Sequence, residues 1–188
     1  MNKILKISIE SFFKAKEVNK SLNDMLKVLP NGTEVVPFDK NKKEDIILFE
    51  KLKEIANDTK NTINDEGGVK TNRPNEAGNA VEPYVKKAIN LQNNYKVLDF
   101  KGQGYPDIKF QDEFNKINYL EIKTTGGTTD EKYEENLKSS FRSFYTSASK
   151  NHRVTENAHH FLIGFRVWVN TDKKYEIVSY KILDLFNL

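Results

Sequence analysis

Apolar residues recur at steps of three and four along the first third of the chain. Between Ile9 and Leu29 they form one stripe, which Pro30-Asn31-Gly32 interrupts, and a second stripe runs through Lys43–Ile63. Such spacing is typical of amphipathic helices with one buried face. We therefore expect an N-terminal helical extension over residues 1–70, packed on a core formed by residues 71–188.

The pattern changes after a polar stretch that contains two glycines and a proline. Short runs with alternating or continuous apolar character now appear between helical patterns, and they indicate strands. The predicted elements are a helix over Asn75–Asn90, three strands within residues 97–125, a helix over residues 136–150, and strands over Phe161–Val169 and Tyr175–Ile182. This succession predicts an α/β fold.

The third of these strands carries charged residues at alternate positions. Leu120 and Ile122 point to one face, whereas Glu121 and Lys123 point to the other, because side chains alternate across a strand. In the preceding strand Asp107 lies on the polar face by the same rule. If the two strands pair, two carboxylates and an amine converge on the polar side of an otherwise apolar hairpin.

A cluster of this kind has a chemical use. Two carboxylates held a few Å apart repel each other unless positive charge lies between them. Mg²⁺ supplies that charge and takes oxygen ligands from one or two carboxylates, from water and from substrate phosphates. A lysine beside the metal can orient or activate an attacking water. The alternative is an ordinary charged outer face of a hairpin.

The residue string itself resembles a known motif. Pro106-Asp107, followed by thirteen residues and then Glu121-Ile122-Lys123, is similar to the PD-(D/E)xK nuclease superfamily, which contains most type II restriction endonucleases. The segment Asn75–Val85 resembles the helix that precedes this motif and commonly supplies one further acid. The resemblance covers about residues 72–185. It implies a restriction-endonuclease-like αβββαβ core with a mixed central sheet.

The resemblance also implies roles for individual residues. Asp107 and Glu121 would bind Mg²⁺, or Mn²⁺ as a substitute, together with the backbone carbonyl of Ile122. Lys123 would position or deprotonate the attacking water. Glu82 matches the helix acid and would act through metal-bound waters, with Glu76 as the alternative.

The implied function is Mg²⁺-dependent endonucleolytic cleavage of double-stranded DNA, most like that of a type II restriction enzyme. A homodimer is expected, because two-fold symmetry places one catalytic centre at each strand of a palindromic site. The apolar stripes of the N-terminal helices are the expected pairing surfaces. Two alternatives remain open: a structure-specific recombination or repair nuclease such as a junction resolvase, and a catalytically inactive DNA-binding module.

Charge along the chain indicates where DNA could be held. Residues 136–170 contain five Lys or Arg against one acid, whereas residues 1–70 are nearly balanced, with thirteen basic and twelve acidic side chains. Basic side chains lining a groove supply most of the attraction to phosphates. The expected DNA-binding residues are Gln103, Tyr105, Lys138, Arg142, Lys150, His152 and Arg153, and we also expect His159 and His160 to face DNA from a loop.

The composition narrows the remaining classes of function. A length of 188 residues is enough for one domain with a sizeable core, and a net charge of +3 is too mild to indicate nucleic-acid binding by itself. The chain contains no cysteine, which excludes disulfides, thiolate nucleophiles and cysteine-ligated zinc. No segment approaches the roughly 18 apolar residues of a membrane span. The N-terminus lacks an apolar signal core, so we expect a cytoplasmic protein.

Overall fold

A five-stranded mixed sheet forms the centre of the computed structural model, and helices cover both of its faces. The structure describes residues 32–99, 101–102, 104–127, 129–148 and 153–187, of which 140–148 and 187 are described by their backbone alone. The elements are α1 (Lys43–Asp65), α2 (Ala77–Leu91), β1 (Lys96–Leu98), β2 (Ile108–Gln111), β3 (Ile117–Thr125), α3 (Asp130–Ala148), β4 (His159–Val169), β5 (Tyr175–Asp184) and a 3₁₀ turn at Leu185–Asn187. None of the helices in these ranges is long and apolar enough to cross a membrane.

The strands lie in the sheet in their order along the chain, from β1 to β5. Neighbours are antiparallel except β3 and β4, which run parallel and are joined through α3. A parallel connection of this kind needs a crossover, which α3 provides. The predicted α/β class, and the succession of helix, three strands, helix and two strands, are confirmed.

Helices α1 and α2 cover one face of the sheet. Leu52 and Ile55 of α1 and Val81 and Val85 of α2 are buried in one apolar cluster with the inward residues of β2 to β5. The helical stripe predicted over Lys43–Ile63 is thus confirmed. Because α1 buries this stripe against its own sheet, the stripe cannot serve as the pairing surface that we expected. The first stripe, between residues 9 and 29, lies outside the described residues.

Helix α3 covers the other face. Tyr133 and Leu137 of α3 pack with Tyr119 of β3 and Leu162 of β4 in a second apolar cluster. The helix comes so close that a Cβ added at Gly164 would lie 2.5 Å from the Leu137 side chain. Strand β3 is therefore buried on both faces, and α3 covers the polar side of the predicted hairpin. Any charged side chain on that face of β3 is held away from water.

Helix α3 also begins earlier than its apolar spacing predicts, at Asp130 instead of residue 136. Asp130 and Glu131 occupy its first turn. Acidic side chains are favoured there, because the helix dipole places partial positive charge at the N-terminus. The acidic run that follows β3 is consequently part of the helix.

Candidate active site

The pairing of β2 with β3 brings the predicted acidic residues together. Ile108 lies opposite Leu120, so Asp107, directly before β2, comes beside Glu121 on the face covered by α3. The backbone N–H of Ile122 donates a hydrogen bond of 2.8 Å to Asp107 Oδ2. Lys123 Nζ forms an ion pair with Glu121 Oε1. The predicted convergence of these three side chains is what the structure shows.

Burial sets the electrostatics of this cluster. Glu121 is fully buried, and its Oε2 has no hydrogen-bond partner among the described residues. Burial, followed by the charge of Asp107, raises the pKa of Glu121 to about 8, although Lys123 opposes the shift. The pKa of Asp107 is also raised, first by its own burial, against the opposing effect of Lys123. The two carboxylates are therefore short of positive charge.

A hard divalent cation fits this donor set. The unpartnered oxygen of Glu121 needs a positive partner, and the neighbouring carboxylate of Asp107 supplies a second oxygen. Within the described ranges no group of three or more His, Cys, Asp or Glu side chains could hold a metal. Two carboxylates suffice for Mg²⁺, which keeps several water ligands and binds through one or two carboxylates.

Helix α2 lies beside the Ile122 carbonyl, the third predicted ligand. A Cβ added at Gly78 would lie 3.9 Å from the Ile122 carbonyl oxygen and 3.6 Å from Thr124 Oγ1. The Thr124 hydroxyl in turn donates a hydrogen bond of 2.6 Å to the carbonyl of Pro74. These contacts fix the start of α2 against the end of β3.

The two candidates for a further acid lie in this helix and directly before it. The charge of Glu82 contributes to raising the pKa of Asp107, although Glu82 also forms an ion pair of 2.6 Å with Lys86. Glu76, by contrast, precedes α2, is exposed and lies 3.7 Å from Arg73 Nε. This placement favours Glu82 over Glu76 as the acid that acts on the carboxylate pair.

Two of the predicted DNA-binding residues have other partners. The side chain of Tyr105 is buried, and its hydroxyl is hydrogen-bonded to His160 Nδ1. Arg153 is half-buried and donates hydrogen bonds to the carbonyls of Gly102 and Pro106. Tyr105 therefore offers DNA no surface, and the guanidinium of Arg153 is bound to backbone carbonyls of its own chain.

The other candidates divide into three groups. Lys138 is exposed on α3 and remains available to contact DNA. His159 and His160 lie in β4 and are buried, so our expectation that they face DNA from a loop was wrong. Gln103, Lys150, His152 and the side chain of Arg142 lie outside the described residues.

The raised pKa of Glu121 leads to a prediction about stability. In EDTA, Glu121→Gln should unfold with the same free energy as the wild type near pH 4, where Glu121 is protonated in both states. As pH rises from 4.5 towards 8, the unfolded state loses this proton first, so the wild type loses stability and the variant does not. One pKa unit corresponds to about 1.4 kcal/mol, and the lost pairing with Lys123 offsets part of the effect. We expect Glu121→Gln to be more stable by about 1–3 kcal/mol at pH 8.5.

Urea unfolding at both pH values measures this difference. Glu156→Gln is the matched control, because Glu156 also pairs with a lysine of the sheet, Lys109, but lies outside the carboxylate pair. Its stability should follow the wild type across the pH range. If Glu121→Gln were less stable than the wild type at pH 8.5, burial of Glu121 would not be costly.

Comparison with known proteins gives two findings. The model of the type II restriction enzyme MjaV family matches residues 16–188. The type II restriction enzyme MjaV of Methanocaldococcus jannaschii is 33% identical over 177 residues, an alignment that covers 84% of this chain and 74% of that protein. No solved structure matches the chain.

Proposed function

Because the chain belongs to the type II restriction enzyme MjaV family, and is therefore a DNA endonuclease, we propose that it hydrolyses duplex DNA with Mg²⁺ as cofactor. One observation carries the metal requirement: the buried Glu121 has an unpartnered oxygen beside Asp107. A site built in this way costs stability unless a cation completes it.

Asp107 and Glu121 are the proposed side-chain ligands, with the backbone carbonyl of Ile122 as the third, and Mn²⁺ substitutes for Mg²⁺. When bound, the cation offsets the negative charge that develops on the phosphate oxygens during hydrolysis. The hydrogen bond from the Ile122 N–H fixes the orientation of the Asp107 carboxylate.

Lys123 is the proposed water-positioning residue. Its ammonium pairs with Glu121 Oε1 and lies at the edge of the carboxylate pair, with only 16% of its side chain exposed. An ammonium held there can donate a hydrogen bond to the attacking water and aim it at phosphorus. This role needs no proton loss from the lysine. Glu82 supports the site through water, from the neighbouring helix.

The proposed architecture is a restriction-endonuclease-like αβββαβ core over residues 71–188, with residues 1–70 as a helical extension. The succession of elements from α2 to β5 and the position of the acidic residues at β2 and β3 support it. Within the extension, α1 shares one apolar cluster with the sheet. The extension is therefore joined to the core by extensive burial.

Specificity and subunit number are proposed together. A site of this type cuts one strand, so cleavage of both strands at a palindromic sequence calls for a two-fold homodimer. We expect incubation with plasmid and Mg²⁺ to give discrete fragments whose ends share one short sequence. On a cognate duplex the protein should sediment as a dimer. Each substituted base pair should cost about 1–3 kcal/mol of binding.

The same experiment discriminates the alternatives. A duplex with one substituted base pair in the shared sequence is the matched control, and it should be cut far more slowly. Cut ends without a shared sequence, or preferential cutting of four-way junctions, would identify a structure-specific repair nuclease. Binding without any cleavage in Mg²⁺ would identify an inactive DNA-binding module.

A further inference from the structure

Arg153 holds the turn that leads into Asp107. Its guanidinium donates hydrogen bonds to the carbonyl of Gly102, at 3.0 Å through Nη1, and to the carbonyl of Pro106 through Nη2. Its backbone N–H donates a third hydrogen bond of 2.8 Å to the carbonyl of Tyr105. One residue thus binds three carbonyls of the segment that ends at Asp107.

The shape of the turn matches this arginine. Gly102 has a φ of +96°, and a Cβ added there would lie 3.7 Å from Arg153 Cδ. Glycine adopts such backbone angles without steric cost, which lets the turn curve against the arginine stem. On its other side the turn is anchored by Tyr105, whose buried ring stacks on His160 of β4 with centroids 5.6 Å apart. The turn is therefore fixed from two directions.

Charge acts in the same sense as geometry. The Arg153 guanidinium places a positive charge beside Pro106, the residue that directly precedes Asp107. A guanidinium remains charged at every physiological pH and is more weakly hydrated than an ammonium, so it suits a half-buried position. Arg153 therefore combines its hydrogen bonds to this backbone with a permanent positive charge at the same place.

We infer that Arg153 is a positioning residue that fixes the Asp107 carboxylate for metal binding, by holding the backbone carbonyls of Gly102, Tyr105 and Pro106. This inference rests on the proposed function, in which Asp107 holds Mg²⁺. It gives Arg153 a role different from the DNA contact expected from its place in the basic segment. Without Arg153 the backbone before Asp107 can relax, so that the Asp107 carboxylate is no longer held in a fixed geometry beside Glu121.

Titration of Mn²⁺ into the metal-free protein without DNA, followed by calorimetry, tests the inference. Arg153→Met removes both the charge and the paired donors, and we expect Mn²⁺ binding to weaken about 10- to 100-fold, the usual effect of losing a group that orients a ligand. Arg153→Lys keeps the charge, but its single nitrogen cannot bind both carbonyls as the planar guanidinium does. Its Mn²⁺ affinity should fall between those of Arg153→Met and the wild type.

Arg166→Met is the matched control. The Arg166 side chain is also mostly buried, with 15% exposed, and donates to the Gly127 carbonyl at 2.7 Å, away from the Asp107 turn. The Arg166→Met variant should bind Mn²⁺ as tightly as the wild type. In cleavage assays, saturating Mg²⁺ should restore most of the kcat of Arg153→Met, and KM for DNA should stay within a few-fold. If Arg153→Met does not fold, Arg153→Lys carries the test.

Each outcome has a separate meaning. Wild-type Mn²⁺ affinity in both Arg153 variants, with loss of affinity in Asp107→Asn, would overturn the inference and leave the proposed metal site standing. Wild-type affinity in Asp107→Asn would overturn the metal site itself. Intact Mn²⁺ binding in Arg153→Met, combined with weaker binding of duplex DNA in EDTA, would restore Arg153 as a DNA contact.

Discussion

Replacement of Asp107, Glu121 or Lys123 by alanine should lower the rate of DNA cleavage by about 10²- to 10⁴-fold each. Each of the two carboxylate variants loses one of the two side chains that we propose as direct ligands of the cation. Lys123→Ala loses the ammonium that we propose to orient the attacking water. Single-turnover cleavage of a cognate duplex at saturating Mg²⁺ measures the chemical step directly.

Binding of DNA should respond differently from cleavage. Lys123 is mostly buried and paired with Glu121, so it contributes little of the surface charge that attracts phosphates. Lys123→Ala should therefore bind cognate duplex in Ca²⁺ within a few-fold of the wild type. A parallel loss of binding and cleavage would assign Lys123 to DNA binding and not to the chemical step.

Lys109 provides the matched control for Lys123. It lies on the neighbouring strand, has 14% of its side chain exposed and pairs with Glu156 at 2.8 Å. Its burial and its ion pair are thus similar to those of Lys123, but it does not contact the carboxylate pair. Lys109→Ala should keep cleavage within a few-fold of the wild type.

Glu82→Ala should reduce cleavage less than the three site variants, because we propose that Glu82 acts through water from α2. Glu76→Ala should have little effect, since Glu76 is exposed and precedes the helix. An inactive Glu76→Ala together with a normal Glu82→Ala would reverse this assignment.

The convergence of Asp107, Glu121 and Lys123 was predictable because it depends only on strand alternation and on one strand pairing. Alternation is local, and the apolar residues Ile108 and Leu120 set the register that brings Asp107 beside Glu121. A pairing error of one residue would have moved every apolar side chain of the strand to the other face. The hydrophobic pattern therefore carried enough information to place the acidic pair.

The burial of that pair was not predictable from the same pattern. Tyr119, Glu121 and Lys123 give β3 the alternation of a half-exposed strand, yet α3 covers this face. The close approach of α3 depends on Gly164 in β4, where any side chain would collide with Leu137 of α3. Such long-range packing leaves no periodic signal in β3 itself.

The two adjacent histidines show a related error. His159 and His160 follow a polar, basic segment and read as loop residues, whereas β4 already begins at His159. Burial lowers the pKa of His160 to about 3, so the ring is neutral and can lie between Tyr105 and Tyr119. Its hydrogen-bond partner Tyr105 is 55 residues away. The polar character of His160 and its neighbours therefore gave no indication that His160 is buried in the core.

Exhaustive treatment with EDTA should abolish cleavage, and Mg²⁺ or Mn²⁺ should restore it, whereas Ca²⁺ should permit binding without turnover.

The dependence of the Mg²⁺ requirement on pH tests whether Glu121 is a ligand. Without a cation Glu121 holds its proton up to a pKa of about 8, so metal and proton compete for the same oxygens. The Mg²⁺ concentration that gives half-maximal rate should fall about tenfold per pH unit from pH 6 to 8 and then level off. Initial rates over a grid of pH and Mg²⁺ concentration measure this slope. DNA binding in EDTA over the same range is the control and should change little. Full activity after EDTA treatment would refute the metal mechanism, and a flat Mg²⁺ requirement would remove Glu121 from the ligand set.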